Sequence, residues 1–192
     1  MRVRKRFFIL AVMVAIVFTS TASAKSLGYR WSNKYSTIYF YCGFNSVWTN
    51  AIQAGMNSWN SVKEISTSKT IVPMYVTTSS SKNKIYTTSN QTWIAKMIPT
   101  YSGSNLSKAD VAFNNGDYTF SVGAAANKYD IQSIAVHEFG HAIGLAHCHE
   151  IGKKCSSSSC SQNIMQPTSK VNNIRRGLTS YDKESKQVEY YN

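Results

Sequence analysis

Histidine is scarce in this chain of 192 residues: there are four, all between positions 137 and 149. A histidine-built site elsewhere is therefore excluded. Acidic side chains are also sparse, nine against 21 Lys and Arg, for a formal charge of +12. A carboxylate cage for a hard cation has little to draw on, since Asp110, Asp117 and Asp130 stand apart, so Ca²⁺ is allowed but unsupported. No apolar run after the first 24 residues is long enough to cross a bilayer. Proline occurs three times, and no linker, repeat or second domain breaks the chain. The basic residues are scattered rather than gathered into a stripe, which argues against nucleic acid. The charge instead favours loose association with anionic surfaces such as cell-wall polymers, acidic glycans or acidic proteins.

The chain does have a leader. Met1-Arg2-Val3-Arg4-Lys5-Arg6 is followed by an apolar run from Phe7 to Phe18 and then by Ala22-Ser23-Ala24. A basic start, a short apolar core and an A-x-A site describe a secretory signal peptide. Residues 1–24 are expected to be removed, leaving 25–192 as one secreted domain, a monomer with no stable membrane insertion. The four cysteines, Cys42, Cys148, Cys155 and Cys160, suit two disulfides in an exported chain. Cys155 with Cys160 and Cys42 with Cys148 is one pairing. Joining Cys148 to Cys155 or Cys160 is almost as reasonable, and the choice stays open.

The densest chemistry is His137-Glu138-Phe139-Gly140-His141-Ala142-Ile143-Gly144-Leu145-Ala146-His147. On a helix His137 and His141 are one turn apart, about 6 Å along the axis, and look off one face. That spacing lets two imidazoles share one zinc ion. Glu138 stands roughly 100° around from His137, within reach of a water at the metal but not placed as a ligand. Gly144 tolerates the backbone angles that end a helix and turn the chain back, delivering His147 as third ligand. Three protein ligands leave a fourth position open, which is the mark of a catalytic zinc. Histidines that merely pack a core helix would not explain this set at this spacing.

The remaining pattern reads as α+β, with strands around one early helix followed by two late helices. Expected strands are Thr37–Tyr41, Ile71–Thr78 with Pro73 at an edge or bulge, Lys84–Thr88, Thr92–Ile98 and Ala109–Phe113. A helix capped by Asn45 or Ser46 should run to Asn60, the histidine helix from Asp130 to Leu145, and a last helix from Thr179 to Tyr190. Residues 101–108 read as loop, and 118–128 give no assignment.

Sixteen residues after His147 the chain reads Asn163-Ile164-Met165-Gln166-Pro167. HExxHxxGxxH followed by a turn carrying methionine resembles the metzincin zinc endopeptidases, and the matrixins among them most closely. The resemblance implies a twisted mixed sheet and two helices above a cleft, with the Met-turn and last helix below it. It implies one catalytic zinc held by His137, His141 and His147, with Met165 as an apolar floor and Asp182 bracing the Met-turn or capping the last helix. Departures are Cys148 where the family usually has a small hydroxyl residue, the absence of upstream histidines for a second zinc, and no room for a latency segment between Ala24 and the first strand. His149 reads as a solvent-side or supporting residue.

The expected reaction is hydrolysis of a protein or peptide substrate, with Glu138 as general base. Substrate should pair with an edge strand within Asp110–Gly123 and fill a pocket lined by residues between Cys148 and Thr168. The alternatives are a zinc amidase or peptidase acting on cell-wall peptides, and a zinc-stabilised adhesin or toxin-like binding protein with little turnover.

Overall fold

The computed structural model describes residues 26–149 and 161–191. Cys155, Cys160 and the leader lie outside the described residues. The elements are β1 (Ile38–Cys42), α1 (Ser46–Asn60), β2 (Met74–Thr77), β3 (Asn83–Thr87), β4 (Ala95–Ser102), β5 (Asn105–Phe113), β6 (Phe120–Ser121), β7 (Tyr129–Asp130), α2 (Ile131–Ala142) and α3 (Ser180–Tyr191). The main sheet runs β2-β1-β3-β5-β4, and β6 pairs with β7 separately. Every neighbour in the main sheet is parallel except β4, which runs antiparallel to β5. This is the α+β arrangement with a mixed sheet, an early helix, a histidine helix and a C-terminal helix. Among the described residues no helix is long and apolar enough to cross a membrane.

Alternation sets the faces. In β1, Ile38, Phe40 and Cys42 point inward while Tyr39 and Tyr41 point out, as a half-buried strand requires. α1 buries Ala51, Ile52, Gly55, Met56 and Trp59 along one stripe, the 3.6-residue period of a core-facing helix. Its N-cap is Asn45, whose side chain accepts from Trp48 N. α1 and α2 pack against each other and both rest on the sheet, with Phe139 of α2 edge-on to Phe40 of β1 at 5.1 Å between ring centroids. Two buried indoles pin α2: Trp59 Nε1 donates to Val136 O at 2.7 Å and Trp31 Nε1 to Ala142 O at 2.8 Å. The second satisfies a carbonyl that the helix end would leave orphaned.

Two expectations need correcting, and one unassigned stretch is filled in. Residues 101–108 are not loop: β4 and β5 form a hairpin in which Ser102 pairs with Asn105, with Gly103-Ser104 as the turn and a bulge between Thr100 and Tyr101. Their polar composition hid the strands, because this arm of the hairpin is largely exposed. Residues 118–128 hold only the two-residue β6, too short for periodicity to register. The Cys42–Cys148 pairing is not formed. Cys42 is a buried free thiol with Sγ 3.6 Å from Thr49 Oγ1, on the sheet face beneath α1. Cys148 instead follows the histidine helix, with its N–H on Met165 O at 2.8 Å. Pro73 precedes β2, which is an edge strand, so no ladder bond is lost.

Candidate metal centre

α2 is fixed at both ends before it presents any chemistry. Asp130 caps its N-terminus by accepting from Ser133 N at 2.9 Å, and also accepts from Gly123 N at 2.7 Å. Arg176 grips the same carboxylate through Nε at 2.8 Å and Nη2 at 2.6 Å. Burial works to raise the Asp130 pKa, but the Arg176, Ser133 and Gly123 hydrogen bonds outweigh it and hold the group ionised. At the other end α2 stops at Ala142, three residues short of the expected Leu145, because Gly144 takes φ 92°. A Cβ there would also lie 2.7 Å from Tyr29 O, so glycine is required twice over.

The reversal brings His147 back to His137 and His141. Their Nε2 atoms form a near-equilateral triangle with sides of 3.1, 3.2 and 3.2 Å. His137 Nδ1 lies 2.8 Å from Ile164 O and His141 Nδ1 lies 2.6 Å from Leu145 O. A carbonyl only accepts, so both Nδ1 atoms carry the proton and both Nε2 atoms are bare in the neutral ring. Burial pushes the His137 and His141 pKa values down to about 4, so neutral rings are the resting form. Lone pairs facing one another at this distance repel unless a cation sits among them. Tetrahedral coordination with Zn–N bonds of about 2.0–2.1 Å needs ligand separations of about 3.3–3.4 Å, within a few tenths of those present. The donor set fits zinc. Among the described residues these three histidines are the one group arranged to hold a metal.

The matching family model, described as matrixin, covers residues 25–191. The chain belongs to the matrixin family. It is therefore a member of a family of zinc metalloproteases, and comparison with curated proteins gives no match.

In this matrixin the Met-turn does more than underlie the ligands. Ile164 O orients His137, while Ile164 N donates to Asp182 Oδ2 at 3.1 Å. The same oxygen accepts from Thr179 N at 2.9 Å, and Asp182 N donates to Thr179 Oγ1 at 3.2 Å. Asp182 thus closes a reciprocal capping box on α3 and braces the turn together; the two roles are not alternatives. Met165 is fully buried, and a Cβ on Gly140 would lie 2.2 Å from its sulfur. Gly140 was missed in the sequence because only the position of Met165 shows why a side chain is forbidden there.

Glu138 is buried, and its Oε2 accepts from Met97 N on β4 at 2.7 Å. Burial raises its pKa above the ordinary carboxylate value, against smaller opposing effects of His141, Met97 N–H and Lys96. Ile134, Met97, Tyr118 and Pro167 line the cleft of about 700 Å³ that holds Glu138 and the three histidines. From the segment between Cys148 and Thr168, Pro167 and Thr168 reach it among the described residues. His149 stays outside the triangle, with Nδ1 3.2 Å from Cys148 Sγ. The aspartates considered for calcium are separately engaged: Asp110 with Lys84 N and Lys108, Asp117 with Gln91 N, and Asp130 with Arg176.

Proposed function

We propose that this matrixin is a secreted endopeptidase that uses one catalytic zinc ion, with Glu138 as the general base. The observation that carries the reading is the triangle of histidine Nε2 atoms at the floor of a cleft, with the buried Glu138 carboxylate beside it. His137, His141 and His147 would hold the metal. When bound, zinc supplies an acidified water and polarisation of the scissile carbonyl.

The chain's own residues do the rest. Met97 N–H occupies Glu138 Oε2, which fixes the carboxylate and leaves Oε1 to take the proton of the attacking water. Glu138 then passes that proton to the departing amine. Its raised pKa suits both halves of the transfer. The expected substrate edge within Asp110–Gly123 is replaced by β4. β5 is paired on both sides, whereas β4 is an edge strand and borders the cleft. An extended peptide laid along an open edge gains main-chain hydrogen bonds without regard to sequence. The export part of this reading rests on the basic start, the apolar run and the A-x-A site of residues 1–24.

The test is cleavage of an unstructured protein by the purified chain with and without a zinc chelator. Chelation should abolish cleavage, and stoichiometric zinc should restore it. Cleavage indifferent to chelation would rule the proposal out.

A further inference from the structure

The main sheet has two faces, and helices cover one of them. The other presents Tyr39 and Tyr41 of β1, Tyr75 of β2 and Tyr86 of β3, exposed by between 38% and 52%. Register places them as a patch. Tyr39 stands directly beside Tyr75 with ring centroids 6.4 Å apart, Tyr41 beside Lys84, and Tyr86 and Lys96 on either side of Ala112. Strand propensity alone would be met as well by threonine. Four open rings on one face offer flat apolar area with a hydroxyl at each rim.

The charge on this face is one-sided. Lys84 is exposed beside Tyr41, and Lys96 is exposed at the edge of the patch on β4. The only carboxylate on the five strands is Asp110, already held by Lys108 at 2.7 Å and by Lys84 N at 2.8 Å. Tyr39 also borders a cavity of about 620 Å³ lined by Trp31, Ser81, Lys82, Asn105 and Ser107, with no carboxylate in its wall. Lys82 Nζ lies 5.6 Å from the Trp31 ring centroid.

We propose that this face, with the adjoining cavity, docks an acidic polysaccharide. The apolar faces of sugar rings stack on the tyrosines, sugar carboxylates or sulfates pair with Lys84 and Lys96, and the hydroxyl- and amide-lined cavity takes ring hydroxyls. A lipid surface fits worse, because insertion calls for protruding aliphatic side chains, and Ile98 is the one exposed aliphatic residue on these strands. The surface lies on the sheet face away from α1 and α2, and its edge at Lys96 borders the histidine cleft, so a bound polymer is held beside that cleft.

The experiment measures retention of the full mature chain by polygalacturonate in affinity electrophoresis. Poly-glutamate, polyuridylate and anionic phospholipid vesicles serve as competing probes. Tyr39→Ser with Tyr75→Ser should weaken polygalacturonate binding about tenfold or more without changing net charge. Lys84→Glu with Lys96→Glu should weaken it comparably, and thermal melting of both variants should match the wild type. If either pair lowers the melt, Tyr86→Ser alone should still weaken retention measurably. No retention, equal binding of poly-glutamate, tighter binding of polyuridylate or vesicles, or tyrosine variants that bind like wild type would each overturn the proposal.

Discussion

Replacing Gly140 by alanine sets two well-known effects against each other. In an open helix the change would stabilise by about 1 kcal/mol, because glycine is the costlier residue there. Here the new methyl would meet Met165 Sδ at 2.2 Å, Trp59 Cζ2 at 2.9 Å and Met165 Cε at 3.0 Å. Methionine is adaptable, but Met165 and Trp59 are both fully buried and the indole is tied to Val136 O. Neither can move without opening the core, and overpacking of this kind costs about 1–3 kcal/mol. The net expectation is destabilisation of up to about 2 kcal/mol, a fall in Tm of up to about 8 °C for a domain of this size. Displacing Met165 also shifts the neighbouring Ile164 carbonyl from His137 Nδ1, so zinc affinity should fall by about 10–100-fold. Thermal melts of the apo chain and a chelator competition for zinc measure the two effects. Adding Met165→Ala should recover part of the lost stability, since it removes the atoms in conflict. A Gly140→Ala variant that is more stable and binds zinc normally would refute the packing argument.

Asp182→Asn keeps the volume but weakens the hydrogen bonds to Ile164 N and Thr179. It should cost about 1–3 kcal/mol in a denaturant melt and weaken zinc binding, whereas an effect on stability alone would mean that capping is its whole role. Lys186 is fully buried, its Nζ donates to Trp59 O at 2.7 Å, and burial lowers its pKa to about 7. Its folded pKa lies below the unfolded value of about 10.4, so the unfolded chain binds the extra proton across that window. Stability should therefore rise by a few kcal/mol from about pH 7 to about pH 10. Lys186→Met should flatten this dependence in urea melts, and an unchanged slope would assign it to other groups. Trp31→Phe removes the donor to Ala142 O and should cost about 1–3 kcal/mol in the same melts.

The histidine site was legible because its ligands are local: one helix and one glycine reversal place all three. What the sequence could not show was how those ligands are oriented, since Ile164 O, Leu145 O and Met97 N are backbone groups with no residue signature. β1 and β3 were found from their alternation, to within a residue at the ends. The β4–β5 hairpin was missed where its exposed arm carries polar residues on both faces. That β4 rather than β5 lies at the edge of the sheet was hidden for a related reason: it follows from sheet order, and the parallel pairs β1–β3 and β3–β5 leave no local trace of it. The reach of Asp182 to the Met-turn was anticipated by resemblance, but only the coordinates show one oxygen serving both the turn and the helix cap.

The central claim is that Glu138 moves protons at a zinc site it does not help to build. Glu138→Gln tests it most directly, with zinc content and peptide cleavage measured on the same sample. The account predicts one zinc per chain, an unchanged melt within about 1 kcal/mol, and a loss of about 10²–10⁴ in kcat/KM. Near-normal cleavage by the zinc-loaded variant would contradict it.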